Sequence, residues 1–142
     1  MPILNLSSPA VKNYYRTFPP EKTPWPILDI TFLDFMPNQK IPCLVDSGAS
    51  HSILHPDFVS ALNINTRNFE QREGSGVGSA FEYWDVTTLF NVVIDGYEFK
   101  FSFHVAKNPI LWPCILGENT IFSNARIDFQ KYKGFFEIRY IK

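Results

Sequence analysis

A chain of 142 residues, 45% of them hydrophobic, is long enough for one domain with a core of its own. A net charge of -1 without a basic cluster offers no electrostatic footprint for nucleic acid. No apolar run is long enough to span a bilayer, and the N-terminus lacks a charged segment followed by an apolar one, so a cytoplasmic protein without membrane or secretory signal is expected.

Aromatic residues make up 16% of the chain, led by 14 Phe, a composition that favours strands over disorder. Residues 1–26 hold Pro2, Pro9, Pro19, Pro20, Pro24 and Pro26, which deny the backbone helix and regular ladder bonds. They read as an extended arm ahead of a domain over residues 27–142. The arm is a simple leader, a strand donor to a partner chain, or a substrate-like segment crossing a site, and its residues do not choose among these. Asn5-Leu6-Ser7 matches a glycosylation acceptor, a chance match where no signal peptide precedes it.

From Ile27 to Phe35 the chain is β-rich; residues 36–40 turn it into Ile41–Val45, so that a hairpin ends at Asp46. His55-Pro56-Asp57-Phe58 through Leu62 predicts a short helix with proline in its first turn. A polar, glycine-bearing stretch runs from Asn63 to Gly78, and strand resumes from Phe81 to Ile94. Asp95-Gly96 is a strong hairpin turn, after which Tyr97, Phe99, Phe101, Phe103 and Val105 alternate with polar residues and fix one face inward. After the turn at 107–109 come Ile110–Gly117, a brief helix over 118–123, and closing strands at 127–129 and 135–141 about Lys133-Gly134. Many short strands joined by turn signals describe an all-β domain, with sandwich and barrel both open on propensity alone.

Cys43 and Cys114 are too few for a disulfide scaffold, and two buried thiols are expected in a reducing compartment. His51 and His55 stand four apart, but no further ligand lies at metal-site spacing, so no metal and no other cofactor is implied.

Three places carry chemistry. Leu44-Val45-Asp46-Ser47-Gly48-Ala49-Ser50 ends an apolar strand in a carboxylate, a hydroxyl and a glycine. Such a turn has a bland use too, since Asp and Ser bond nearby backbone and Gly supplies positive φ. The second place is the glycine loop around Gly76-Val77-Gly78, and the third is Ile115-Leu116-Gly117. In this order and at this spacing, over about residues 25–141, the chain resembles the retropepsin-like (retroviral-type) aspartic proteases.

The resemblance implies an acid-protease barrel with one or two short helices, active as a symmetric homodimer. It makes Asp46 the catalytic acid, Ser47 a brace across the two-fold axis and Gly48 a point of close backbone approach. Leu44, Ala49, Ser50, His51, Trp112, Pro113 and Ile115 would line a peptide cleft, and Gly76, Val77 and Gly78 would form a flap over it. Amide hydrolysis without metal or covalent nucleophile needs a base for water and an acid for the leaving nitrogen. Two carboxylates sharing one proton supply both. Only one Asp-Ser-Gly turn is present, so the second carboxylate would come from the same residue of a second copy.

Two departures stand out. Ser50 and His51 replace the acidic residues of the best-known viral members, and Glu118 stands where the family commonly has Arg, although Asn119 matches some members. The Arg-centred ion pair near the dimer interface is therefore absent, and Phe135–Ile141 are expected to carry contacts to the second copy. An inactive protease-fold module for binding or dimerisation is the alternative function. A precursor that matures by losing its arm is a third.

Overall fold

The computed structural model describes residues 9–20, 22–76 and 79–141, without the side chains of residues 75, 76, 79 and 80. The inside of the molecule follows from the alternation of one strand, Tyr97–Ala106, in which Phe99, Phe101, Phe103 and Val105 are buried while Glu98 and Lys100 are exposed. Its partner is Ser79–Ile94, across a turn in which Asp95 and Gly96 both have positive φ, 51° and 84°. Left-handed residues at both central positions match the twist of the flanking strands. A register shift between Val86 and Phe90 bends this hairpin.

In chain order the strands are β1 (Val11–Tyr14), β2 (Ile27–Phe32), β3 (Ile41–Val45), β4 (Ile53–Leu54), β5 (Gln71–Gly76), β6 (Ser79–Ile94), β7 (Tyr97–Ala106), β8 (Cys114–Leu116), β9 (Ala125–Gln130) and β10 (Phe135–Tyr140). One sheet runs β2-β3-β8-β4-β7-β6, and β6 returns to β2 through Thr31↔Val93 and Phe32↔Val92, which closes a barrel. Most pairings are antiparallel; β3–β8 and β4–β7 are parallel. Phe32, Phe90 and Phe103 meet inside it, with ring centroids 5.7 to 6.4 Å apart. Beyond the barrel, β5 pairs with the first half of β6 as a projecting hairpin. The all-β barrel expected from the sequence is the observed fold.

Helix is scarce. The predicted helix after Pro56 is the single turn α1 (Phe58–Ala61), and Leu62 behind it is buried. The helix expected over 118–123 is instead a 3-10 turn at Ile121–Ser123. The cause is polar: Gly117, Asn119 and Thr120 are bonded outward to the segment around Ser52, and those bonds hold the chain out of helical geometry.

A second sheet has the order β1-β10-β9. Val11↔Ile138 and Tyr14↔Phe135 bring the arm's strand onto β10, which has β9 on its other side. The closing strand expected to bond a second copy therefore has both edges occupied by its own chain. Tyr140, fully buried, donates its hydroxyl to Asp95 Oδ2 at 2.6 Å and ties this sheet to the β6–β7 turn. The arm then doubles back through an Arg16↔Trp25 bridge, with Arg16 on Asp29 at 2.9 Å. Its Phe18 and Trp25 rings cover Trp112, at 4.8 and 5.9 Å.

Deleting residues 1–26 should lower the midpoint of denaturant unfolding. The loss should reach at least about 3 kcal/mol, the scale of losing two buried aromatic contacts and a strand. An unchanged midpoint in urea would show that these residues contribute nothing to the fold.

Candidate active site

Strand β3 carries the carboxylate to its place. Cys43, Leu44 and Val45 are register partners of Cys114, Ile115 and Leu116 on parallel β8, so side chains alternate in matched pairs. Cys43, Cys114, Val45 and Leu116 enter the core, while Leu44 and Ile115 remain half-buried on the other face. The ladder extends one bond further, Asp46 N donating to Leu116 O at 3.0 Å. The chain then reverses: Ala49 N donates to Asp46 O at 3.2 Å, and Gly48 N to Asp46 Oδ1 at 2.9 Å. A Cβ at Gly48 would lie 3.2 Å from that same oxygen, so a side chain there would crowd the carboxylate. Asp46 is half-buried, and Ser47, Gly48 and Ser50 are exposed.

The third motif braces the first. Gly117 is buried against the turn so closely that a Cβ would collide with the Ala49 carbonyl oxygen. Its N–H donates to Ser52 Oγ at 2.8 Å, and Ser52 Oγ shares a 2.7 Å bond with Thr120 Oγ1. Both hydroxyls are fully buried and both are satisfied. Glu118 N donates to Ala49 O at 2.9 Å, so it is the backbone of Glu118 that the turn uses. Ser52 N donates to Asn119 Oδ1 at 2.7 Å, and Ser52 O receives His104 N at 2.8 Å. Ser52, Thr120 and His104 were not marked by the sequence. Each is a polar residue in an apolar strand or after the glycine, a weak signal that only the fold turns into a site.

His51 stacks on His104, with ring centroids 3.6 Å apart and planes within 8°. His55 faces elsewhere, its Nδ1 accepting from Asp57 N at 3.0 Å, and among the described residues no group of three His, Cys, Asp or Glu side chains stands ready for a metal. Burial lowers the His51 pKa, against the pull of Asp85. For His104, burial first and then the charge of His51 bring the pKa to about 4. Burial, and next the hydrogen bond its S–H gives to Cys114, push the Cys43 thiol well up, which leaves it an inert core group.

Of the remaining cleft candidates, Trp112 is buried beneath Phe18 and Trp25, and Pro113 is half-buried with its carbonyl taken by His55 N at 2.9 Å. Gly76 ends β5, whereas Val77 and Gly78 lie outside the described residues. The turn can therefore present one carboxylate, rigidly held and within reach of solvent, beside the Leu44 and Ile115 pair. A single carboxylate can take up or give a proton. It cannot act as base and acid in the same step.

No protein-family model matches the sequence, and no curated protein matches it. Two solved structures are similar in fold. The retroviral protease-like domain of Ddi1 from Leishmania major superposes with a TM-score of 0.58 at 17% identity, over 85% of this chain and 97% of that one. A retropepsin-like aspartic protease from Rickettsia conorii superposes with a TM-score of 0.64 at 17% identity, over 97% of this chain and 98% of that one. With the closed barrel and these two neighbours, the chain has the retropepsin-like fold.

Proposed function

We propose that this protein is an aspartic endopeptidase that works as a homodimer, with Asp46 of each subunit forming one half of the reaction centre. The observation that carries the reading is the Asp46 turn itself. Asp46 stands at the end of β3, its backbone N–H donating to Leu116 O behind it and one carboxylate oxygen accepting from Gly48 N, in a retropepsin-like fold. One such turn per chain makes the second copy a catalytic requirement.

In the dimer the two carboxylates hold a water between them and share one proton, because like charges so close do not both ionise. The ionised partner takes the proton of the water as it attacks the scissile carbonyl. The protonated partner hydrogen-bonds the carbonyl oxygen, and a proton then passes to the departing amine. Ser47 bonds across the axis and stiffens the pair. An extended peptide lies between the subunits, with the β5–β6 hairpin as its flap and Leu44 and Ile115 as apolar lining, so hydrophobic residues flank the cut bond. The seam between copies falls on β9: among the described residues it is paired on one side only, and it carries the partly exposed Phe129.

Replacing Asp46 with Asn should abolish cleavage of an unfolded protein substrate while leaving circular dichroism and particle mass unchanged. Cleavage that persists in the purified variant rejects Asp46 as the catalytic acid, and a wild-type dimer that never cuts favours a binding module. Mixing wild-type and Asp46→Asn chains in equal amounts, with time to exchange, should leave about a quarter of the wild-type activity, since only dimers with two intact carboxylates turn over. An activity of about half would mean that each subunit acts alone. Activity should favour acid to mildly acidic pH, as a pH series of initial rates would record, because one proton has to stay on the pair.

A further inference from the structure

A column of rings leads away from the active-site turn. His51 lies on His104 at 3.6 Å, His104 lies on Tyr83 at 4.1 Å with planes within 16°, and Phe81 follows at 5.4 Å. The four rings come from the segment before β4, from β7, and twice from β6. They link the catalytic turn to the projecting β5–β6 hairpin. Gly74 on β5 makes room for the far end, since a Cβ there would stand 2.8 Å from Phe81 Cζ and 3.1 Å from Tyr83 Cε1.

The hydrogen bonds at the near end require a neutral imidazole. Asn119 Oδ1 accepts from Ser52 N, so its amide nitrogen is the donor end; that nitrogen reaches Ser102 O at 3.1 Å and His51 Nε2 at 3.2 Å. His51 Nε2 must therefore accept, and its proton sits on Nδ1. A second proton would set N–H against N–H and break the bond. It would also put charge 3.6 Å from the face of His104. The charged groups around the pair do not offset this. Asp85 on β6 is 3.6 Å from His104 Nε2, beyond a hydrogen bond, and its other oxygen is held by Arg72 of β5 at 3.2 Å. Arg72 in turn holds Glu70 at 2.8 Å, and β4 contributes only Ile53 and Leu54.

We propose that His51, His104 and Tyr83 are positioning residues, a stack of neutral rings that fixes the β5–β6 hairpin against the catalytic turn, and that protonating the imidazoles undoes it and sets an acid limit on activity. The link to activity rests on the protease reading above, while the link between turn and hairpin does not. As pH falls toward about 4 His104 takes up a proton, and His51 is likewise held below its ordinary value by burial. Once they are charged the Asn119 bond and the stack fail together and the hairpin loses its orientation.

The test uses the full-length Asp46→Asn chain, which cannot digest itself, and follows amide hydrogen exchange in residues 71–76 and 81–86 at pH 6.5 and about pH 4, corrected for intrinsic rates. Protection should fall about tenfold or more at the lower pH, and His104→Phe, which keeps a ring in the stack but leaves only His51 to take up a proton, should make the loss several-fold smaller. With Asp46 restored, His104→Phe should carry the acid limb of kcat/KM down by about one pH unit, whereas His104→Ala should raise KM more than it lowers kcat. Equal protection at both pH values, or the same loss in His104→Phe, overturns the proposal. Should that variant not fold, NMR titration of the imidazoles in the Asp46→Asn chain decides it, values at or above the ordinary 6.5 being the overturning result. A hairpin that switches as described in a protein that never cuts peptide leaves the proposal standing and removes the protease reading.

Discussion

The contact between Gly117 and Ala49 is the constraint on which the site depends. Two segments almost seventy residues apart approach until only hydrogen fits between backbone and backbone, and parallel β3 and β8 can then hold Asp46 from behind. A close approach of this kind strands polar groups, and Ser52 and Thr120 answer for them. Their fully buried hydroxyls bond each other, and Ser52 accepts the Gly117 N–H, so the polar groups at this approach are met. The glycine supplies space and the serine supplies the partner. Neither explains the rigidity of the turn without the other.

The barrel carries the Asp46 turn, and the second sheet accounts for what remains of the chain. The N-terminal strand β1 closes one edge of β10, and the segment after it lays Phe18 and Trp25 on Trp112. Rings otherwise open to solvent are covered, and the Arg16 to Asp29 pair, about half-exposed, adds orientation more than energy. A residue expected on sequence grounds to face substrate is in this way enclosed by its own arm. Leu44 and Ile115, by contrast, stay half-buried on the side of β3 and β8 turned away from the core.

Local patterns carried the fold a long way. The Phe99 to Val105 alternation, the Asp95-Gly96 turn and the close turns at Gly48 and Gly117 were legible because each states its geometry within a few residues. What escaped was set at a distance. The strand at Val11–Tyr14 is four residues among prolines, and only β10 makes it a strand. His104 belongs to the set that alternation assigns outward, and nothing local tells that the outer side of β7 is roofed by His51 and Tyr83. The helix at 118–123 failed for the same reason, since Asn119 and Thr120 bond to Ser52, 67 and 68 positions earlier.

Acid chemistry and this scaffold pull in opposite directions. In the proposed dimer, a carboxylate pair that must keep one proton gains from falling pH. The buried imidazoles lose by it: with His104 at about 4 when folded and 6.5 when free, the unfolded chain binds the proton first. The contribution of His104 to stability is thus whole above 6.5 and drains away as pH falls to about 4, with His51 adding in the same sense. For a side chain this enclosed, the shift corresponds to on the order of 3 kcal/mol, against the 5 to 15 kcal/mol that holds an ordinary domain folded. An unfolded fraction alone would not follow from so partial a loss. A local one would, because the protons land on the rings that join hairpin to turn, and the part of the molecule that yields first is the part that the chemistry needs in place.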